Sequence, residues 1–583
     1  QGMNASHATP SSALIGEATL KQQRIRSLFQ QAILLCVRHC AGRWWEIYAP
    51  NTKALRRILS ECILRRAGDL RSFIRLSDEL NLLTGECGVD DYSLLQQARR
   101  RADADGPYAT ADATAWAGTE GAEGPAGMPV SVAALRDGLL ALHAAEGHPH
   151  AEGRVADLRQ EAMRIWESGA ASVTPHSDPE HIHNISRMLG HFDLLDAARD
   201  CLLRYDPNHD LISAIDEFVR LRGEALDWAD AARWADGGET WLIGMTVWGS
   251  RYIDFCCDFH LASLLADGNL PALARRGRLV VSIVTDAEGR ALIERAPIRP
   301  RLRALADVRF CLIGRVPCRD TEEAARTFYR RYGLLDHLHI DLARRIGAHL
   351  MLMPVDTVIS RNGLSALADA IDEGADCVTA SCIEANRTSV MAELAPLRED
   401  GRIAIAPAQL TSIAVRHKTA YFKSLIVAVG NRLNAYPREF FWRVPGGYVC
   451  HALFMHPVML SANALARDFH PNHENVDWAL LPRLLTRESR IRVVEDNSRL
   501  FILHCSDADV RAGEYSDIVG GIDGCAGEYL ISVHLNDFPL HRRLLKQQQF
   551  FCVDDPDEPI SPRYLAESGA LLAMFDMITP SPL

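Results

Sequence analysis

Two patterns of apolar and polar positions divide the chain. Up to about residue 238 apolar residues recur every three or four positions, the spacing of amphipathic helices. This pattern predicts a helical region over residues 1–102 and a helical, repeat-like region over 130–238. Between them, residues 103–129 are rich in Ala, Gly, Thr and Asp. Because this stretch has almost no apolar bulk, it is expected to be a flexible linker.

The second helical region has the rhythm of paired short helices. Residues Leu194 to Tyr205 and Leu211 to Leu221 each have an apolar face, and turn-forming residues separate the two segments. The sequence does not carry the consensus of a named repeat. Stacked helices of this kind usually bind a partner or mediate assembly. The region is therefore expected to bind a partner or to form a homodimer.

From residue 239, short apolar runs alternate with segments of helical spacing. This alternation predicts parallel βαβ units whose sheet is covered by helices on both faces. The predicted strands are 241–249, 279–286, 308–313, 349–353 and 376–381.

The alternation weakens after Pro396, where the remaining apolar runs are short. The strands predicted there are 402–407, 440–444, 449–454 and 491–496. The predicted fold class is an α/β domain with a Rossmann-like mixed sheet over residues 239–510, preceded by an all-α region. Residues 511–583 are expected to form a mixed C-terminal extension.

Composition narrows the classes of function. The chain has 583 residues, more than one core supports, so two or three domains are expected. Its formal net charge of −12 argues against a general nucleic-acid binder. The 15 cysteines form no CxxC pair and most lie in apolar runs, which predicts reduced, buried thiols and a cytoplasmic location. The sequence predicts neither a transmembrane segment nor a signal peptide.

Several catalytic and nucleotide-binding motifs are absent. The sequence contains no GxxxxGK[ST] phosphate loop and no GxGxxG after the first predicted strand. These absences argue against P-loop enzymes, nicotinamide-dependent Rossmann enzymes and methyltransferases with a glycine-rich first turn. The lack of GxSxG and HExxH argues against an α/β-hydrolase and a zinc protease of that type.

Two acids remain at the ends of predicted strands. Asp286 follows Ile-Val-Thr, and Asp356 follows Met-Pro-Val. The strand before Asp356 should stop at Pro354, which has no N–H to donate to a sheet. Asp356 then lies just beyond the carboxyl end of its strand, the place where open α/β sheets bind ligands.

These acids lie within a series of short sequences that recurs in one protein family. The series is Trp248-Gly249 with Tyr252, Leu270-Pro271-Ala272-Leu273, Val284-Thr285-Asp286, and Pro354-Val355-Asp356 with Ser360, Asn362 and Gly363. In this layout the chain resembles nucleotide-sugar glycosyltransferases of the GT-A fold, over roughly residues 240–510. The resemblance implies a transferase that takes a sugar from a nucleotide-activated donor and passes it to an acceptor.

The resemblance also assigns residues to the donor. In GT-A enzymes an early strand end holds the nucleotide, which implies donor-binding roles for Trp248, Thr285 and Asp286. A later strand end carries a short acidic motif that holds a divalent metal on the diphosphate, which implies a role for Asp356 with Asn362 nearby. The implied metal is Mg²⁺ or Mn²⁺.

The second half of such domains often supplies further groups. His456, which follows an apolar run, is the candidate second metal ligand beside Asp356. Glu474 and Asp477 lie three residues apart and are the candidate catalytic bases, because that spacing places both on one face of a helix. The same spacing is equally typical of acids at the start of a helix.

The chain departs from the family at one position. A complete Asp-x-Asp motif would need an acid where Pro354 stands. A single carboxylate is still compatible with Mg²⁺ or Mn²⁺, because such ions take most ligands from water and phosphate. A metal-independent enzyme would instead meet the diphosphate with a cation, for which Arg361 and Arg387 are candidates. For either arginine alone, a surface salt bridge is the simpler interpretation.

Two alternatives therefore stay open. In the first, the helical region is a binding scaffold and the α/β domain is a degenerate transferase without activity. In the second, the sheet belongs to another nucleotide-dependent transferase, such as a nucleotidyltransferase. The missing acid at Pro354 favours the first alternative.

Overall fold

The structure is a computed structural model. The described residues are 130–145, 154–231, 238–314, 322–427, 433–434, 439–453, 458–467, 481–485, 488–507, 518–519, 538–555 and 557–578. The helical region predicted at 1–102 and the linker predicted at 103–129 lie outside them. The chain divides into two units, one with residues 1–123, 519–536 and 567–583, the other with 124–518 and 537–566. The second unit holds the seven-stranded sheet, both three-stranded sheets and the candidate site.

The N-terminal part of the second unit is helical, as predicted for residues 130–238. Its helices are α1 (Val132–Ala145), α2 (Arg154–Gly169), α3 (Pro179–His191), α4 (Leu195–Tyr205) and α5 (Asp210–Ala231), with a 3₁₀ turn at Ala170–Ser172. They pack through apolar faces, and Leu189, Phe192 and Phe218 are fully buried. Among the described residues, none of the helices is both long and apolar enough to cross a membrane.

Strands and helices alternate after α5. The strands are β1 (Thr240–Thr246), β2 (Arg278–Thr285), β3 (Asp307–Leu312), β4 (His349–Leu352), β5 (Thr357–Ile359), β6 (Cys377–Thr379), β7 (Ile383–Asn386), β8 (Leu433–Asn434), β9 (Glu439–Val444), β10 (Gly447–Ala452), β11 (Val458–Leu460), β12 (Ile491–Val493), β13 (Ile502–Ser506), β14 (Ile518–Val519) and β15 (Gln548–Cys552).

The helices between and after these strands cover the sheets. They are α6 (Ser250–Phe255), a π-helical turn (Cys256–His260), α7 (Leu261–Leu264), α8 (Leu270–Arg276), α9 (Ala287–Arg295), α10 (Arg299–Leu305), α11 (Glu322–Ile346), α12 (Gly363–Asp372), α13 (Arg387–Leu394), a 3₁₀ turn (Ala395–Leu397), α14 (Pro407–Arg416), α15 (Ala420–Ser424), α16 (Ala462–Leu465), α17 (Leu481–Leu484), α18 (Phe538–Leu545) and α19 (Tyr564–Ile578).

The central feature is a seven-stranded mixed sheet. Its strand order is β12-β6-β11-β4-β1-β2-β3. Strands β3, β2, β1 and β4 are parallel neighbours, whereas β11 runs antiparallel to both β4 and β6. All seven residues of β1 are buried, as expected for a strand covered on both faces. The predicted mixed α/β sheet is therefore confirmed.

Besides a two-stranded sheet of β14 and β8, the described residues form two three-stranded sheets. In one, β13 lies between β5, to which it is antiparallel, and β7, to which it is parallel. In the other, β10 lies between β9 and β15, and all three are antiparallel. The strand predicted at 402–407 is wrong. Residues 399 and 402 form only an isolated bridge, and Pro407 begins α14 because its fixed φ suits the first turn of a helix.

The order of the parallel strands identifies one edge of the large sheet as a binding position. The chain moves from β1 outward through β2 and β3, then returns to place β4 on the other side of β1. The connections reverse direction between β1 and β4, so a crevice opens beyond the carboxyl ends of these two strands. Trp248 follows β1 at this edge, and Asp356 follows β4.

The close approach of α11 to β1 provides a test of the fold. A Cβ added at Gly244 would lie 2.6 Å from the Cγ atom of His339, whose Nδ1 is 3.1 Å from the Ser282 hydroxyl. Because this buried ring has little freedom to move, Gly244→Ala should lower the free energy of unfolding by about 1–3 kcal/mol in urea titrations. Gly223→Ala is the matched control, since a Cβ there meets nothing within 4 Å. Equal stability of the two variants would contradict this packing.

Candidate functional site

Asp356 lies where the chain passes from the large sheet into a small one. β4 ends at Leu352, and the carbonyl of Pro354 accepts a hydrogen bond from the Thr357 hydroxyl at 2.7 Å. The backbone carbonyl of Asp356 accepts a hydrogen bond from the Cys505 amide at 2.8 Å. These bonds fix the turn and leave the side chain 27% exposed. The carboxylate is thus anchored in the protein but reachable by a ligand.

His504 is the closest charged neighbour of Asp356. In the small sheet it is registered opposite Thr357 on β5 and Glu384 on β7. Registered residues on adjacent strands face the same side of a sheet. The imidazole therefore lies between two acids, with Nε2 3.2 Å from Oδ2 of Asp356 and Nδ1 3.4 Å from Oε2 of Glu384.

The two carboxylates hold His504 in its charged form. Burial alone would lower the pKa of His504, but Asp356 and Glu384 together raise it to about 10. For Asp356 the effects are reversed. Burial would raise its pKa, but His504 and the nearby Arg387 lower that pKa below its ordinary value. At neutral pH the site therefore contains an imidazolium beside the ionised carboxylate of Asp356.

The other acid of this group is held more deeply. Glu384 is 5% exposed, and its Oε1 accepts a hydrogen bond from the Thr419 hydroxyl at 3.0 Å. The Thr419 hydroxyl also accepts from the Phe422 amide at 3.1 Å and so caps α15. Glu384 is therefore a fixed counter-charge for His504, whereas Asp356 is the member that solvent reaches.

His260 forms a hydrogen bond to the same segment of the chain. It lies in the π-helical turn, and its Nδ1 is 2.9 Å from the carbonyl oxygen of Thr357. Burial lowers the pKa of His260 to about 4, although this hydrogen bond and Asp356 act in the opposite direction. His260 is thus neutral, and its Nδ1–H donates to the strand that follows Asp356.

A second charged group adjoins this one at the ends of β7 and β13. Arg387 begins α13 directly after β7, and it is 3% exposed. Its guanidinium carbon lies 4.5 Å from the ring centre of Tyr252 and 5.6 Å from that of Phe255. Its Nε is 3.6 Å from Oδ1 of Asp507, an ion pair that is too long for a hydrogen bond.

Arg251 completes this second group. It forms a charged hydrogen bond to Oδ1 of Asp507, the same oxygen that faces Arg387. Arg251 and Tyr252 belong to α6, which follows β1. The group therefore lies near the crevice beyond the carboxyl ends of β1 and β4. Side chains from α6, from α13 and from the end of β13 thus meet beside the crevice.

The predicted nucleotide-binding residues lie along the same edge of the large sheet. Asp286 follows β2 and caps α9, accepting a hydrogen bond from the Gly289 amide at 2.6 Å. Thr285 is fully buried, and its hydroxyl has no hydrogen-bond partner among the described residues. Trp248 is partly buried, with its ring centre 6.0 Å from that of Tyr332. Since β1 lies between β2 and β4, Asp286 is about two strand spacings, ~10 Å, from the end of β4.

Asn362 is not beside Asp356. It lies at the opposite end of β5, where it adopts a left-handed conformation with φ of 64° before α12. A Cβ added at Gly268 would collide with its side-chain oxygen, so Asn362 packs against that turn. Arg361, a candidate diphosphate cation, is exposed at the same end of β5. Of the two candidate arginines, Arg387 is the one near Asp356.

Three predicted site residues lie outside the described part of the chain. These are His456, Glu474 and Asp477. Their roles as metal ligand and catalytic bases stay predictions.

The described residues can be compared with the needs of a Mg²⁺ or Mn²⁺ site. Among them, no group of three His, Cys, Asp or Glu side chains is arranged to hold a metal ion. The nitrogens of His504 already face two different carboxylates, so the three groups do not converge on one point. The described residues alone therefore do not form a binding site for Mg²⁺ or Mn²⁺. The chemistry that they can support is that of their own charged groups.

Sequence reasoning missed four members of the site, which are Arg251, Glu384, His504 and Asp507. His504 and Asp507 lie in Leu500-Phe501-Ile502-Leu503-His504-Cys505-Ser506-Asp507, an apolar run that ends in an acid. This is the same pattern that identified Asp286 and Asp356, so it could have predicted β13 and its acid. The partnership with Glu384 could not be read from the sequence, because 120 positions separate the two residues.

Comparisons with known proteins do not identify the chain. No protein-family model matches it, and no curated protein matches it. The chemistry that the site can support therefore follows from the geometry of its charged groups. The site combines a partly exposed carboxylate with a fixed imidazolium and a buried guanidinium beside the crevice. Fixed cations in a partly buried site can stabilise negative charge that develops on a bound molecule.

The charge of His504 can be tested by its pH dependence. Its pKa is raised from 6.5 to about 10, so its contribution to stability is complete below pH 6.5 and is lost as the pH rises towards 10. At pH 6, His504→Gln should be less stable than the native chain by about 3–5 kcal/mol, because two acids lose their shared cation. Urea unfolding at pH 6, 8 and 10 should show this difference shrinking.

A histidine elsewhere provides the control. His176 is exposed, and His176→Gln should leave stability nearly unchanged at all three pH values. A difference between native chain and His504→Gln that stayed constant from pH 6 to 10 would mean that His504 is neutral in the folded protein.

Proposed function

We propose that the protein is a glycosyltransferase that moves a sugar from a nucleotide-activated donor to an acceptor, with the donor diphosphate bound near Asp356. The observation that carries this proposal is the position of Asp356. It is a partly exposed carboxylate beyond the carboxyl end of β4, at the point where the strand connections reverse. In open α/β sheets this crevice is where nucleotides bind.

The charges near Asp356 suit a departing nucleoside diphosphate. Cleavage of the sugar–phosphate bond leaves negative charge on the diphosphate, which fixed cations stabilise. Arg387 and the His504 imidazolium are the described cations nearest to Asp356. In this proposal they offset the developing charge, while Glu384 keeps His504 protonated. Asp356 orients the donor by accepting hydrogen bonds from its hydroxyl groups.

The other end of the donor has a place along the same edge. Asp286 uses Oδ1 to cap α9, which leaves the second carboxylate oxygen for a ribose hydroxyl. Trp248, at the end of β1, offers a ring on which a base can stack. The Thr285 hydroxyl is fully buried, so its role is to shape the floor beneath the nucleotide rather than to contact it.

The remaining parts of the proposal rest on the family resemblance. Glu474 or Asp477 is the proposed base that takes the proton of the acceptor hydroxyl, and Mg²⁺ or Mn²⁺ is the proposed metal, with His456 beside Asp356. The helical region is proposed to present the acceptor or to form a homodimer. The proposed binding of the donor does not depend on any of these roles, so each role can be disproved without affecting it.

The central test is replacement of the carboxylate. Asp356→Asn keeps the size of the side chain and leaves His504 paired with Glu384, so the fold should persist. Release of nucleoside diphosphate from the accepted nucleotide sugar should fall at least about 100-fold, measured with and without Mn²⁺. Asp307→Asn is the matched control, because Asp307 pairs with Arg278 at the opposite edge of the sheet. Retention of most activity by Asp356→Asn would exclude the proposed role.

A binding screen separates the proposal from its alternatives. Nucleoside diphosphates, triphosphates and nucleotide sugars would be added at about 100 times their dissociation constants, where a bound ligand stabilises the fold by about 2.7 kcal/mol. A rise in melting temperature with nucleoside diphosphates and their sugars is expected. A rise with triphosphates alone would indicate a nucleotidyltransferase, and no rise with any of them would favour a non-catalytic scaffold.

A further inference from the structure

The guanidinium of Arg387 has unused hydrogen-bonding capacity. Its Nε and Nη1 are buried, and neither has a hydrogen-bond partner among the described residues. A buried cation without hydrogen bonds is unfavourable unless another interaction compensates for its lost hydration. The Tyr252 and Phe255 rings supply part of that compensation through their faces. They cannot accept the planar pair of N–H bonds that a guanidinium offers.

Asp507 is the acid nearest to these N–H groups, but it does not form a hydrogen bond with them. Its Oδ1 lies 3.6 Å from Nε of Arg387 and is also the acceptor for Arg251. One carboxylate oxygen is thus shared by two arginines, and only one of them forms a hydrogen bond with it. The Asp507 side chain is 8% exposed, whereas that of Arg251 is 63% exposed. The acid therefore lies between the solvent-facing arginine and the buried one.

We infer that Arg251 and Arg387 form a phosphate subsite in which Asp507 occupies the anion position until a phosphate group displaces it. The inference deepens the proposed function and rests on it for the identity of the ligand, a donor diphosphate. A phosphate group has more acceptor oxygens than a carboxylate, so it can satisfy both arginines at once. Displacement of Asp507 would break its hydrogen bond with Arg251 and its long ion pair with Arg387, and charge-assisted hydrogen bonds from both arginines to one phosphate group would replace them.

The location agrees with a diphosphate that also approaches Asp356. On the paired strands, His504 is registered with Glu384, and Ser506 is registered with Asn386. Arg387 and Asp507 each follow directly after the second of these pairs. They therefore lie about three residues, or ~10 Å, along the strands from the His504 group. The Tyr252 ring over Arg387 belongs to α6, which connects the subsite to the crevice beyond β1.

The test uses inorganic pyrophosphate as the probe and the full chain. Titration calorimetry at one fixed ionic strength would measure its affinity for the native chain and for Asp507→Asn. The variant removes the competing charge and keeps the side-chain size, so pyrophosphate should bind about tenfold more tightly. Asp230→Asn, which breaks an exposed ion pair with Arg345, is the matched control and should bind as the native chain does. Unchanged affinity in Asp507→Asn would overturn the inference.

Two further variants keep the inference testable if Asp507→Asn does not fold. Arg387→Lys keeps the charge but loses the planar fork, and Arg251→Gln removes an exposed cation. Each should weaken pyrophosphate binding about tenfold, and unchanged affinity in both would overturn the subsite. If these responses appear but no nucleotide sugar is turned over, the subsite stands and the proposed transferase fails. If nucleotide sugars are turned over without these responses, the transferase stands and the subsite fails.

Discussion

The candidate site depends on one arrangement, an imidazolium between two carboxylates. Asp356 comes from the turn before β5 and Glu384 from β7, and without a cation between them their mutual repulsion and their burial would both be unfavourable. His504 reaches both only because β13 lies between β5 and β7 in the observed register. A shift of one residue would turn the imidazole to the other face of the sheet. The small sheet and the charged site therefore require each other.

The turn that contains Pro354 leads the chain into this arrangement. At that position a transferase with a complete Asp-x-Asp motif would have an acid. Here Pro354 lies two residues after the end of β4, and its carbonyl accepts a hydrogen bond from the hydroxyl of Thr357, which begins β5. The turn carries the chain from the large sheet into the small one, where Thr357 is registered with His504. The turn at Pro354 thus leads into the strand that is registered with His504.

The sequence predicted the features that depend on neighbouring residues. The long apolar runs predicted β1 to β4, so Asp356 was placed correctly beyond β4. The short strands β5, β7 and β11 were not predicted, because three or four residues carry too little periodicity and their partners are distant in sequence. The same reason explains the site. An acid after an apolar run is visible in the sequence, but the pairing of His504 with Glu384 arises only when three separate segments assemble.

The charges of the assembled site constrain how it can bind a diphosphate. Among the described residues, the acids Asp356, Glu384 and Asp507 are matched by the cations His504, Arg387 and Arg251. A nucleoside diphosphate would add negative charge to a group that is already balanced. The balance can be restored by a divalent cation at Asp356, or by movement of Asp507 away from the arginines. The first route needs a ligand beyond the described residues, whereas the second uses side chains that are already in contact. In the proposed function, Asp507, rather than the missing acid at Pro354, is therefore the residue whose movement would let the site bind a diphosphate without a metal.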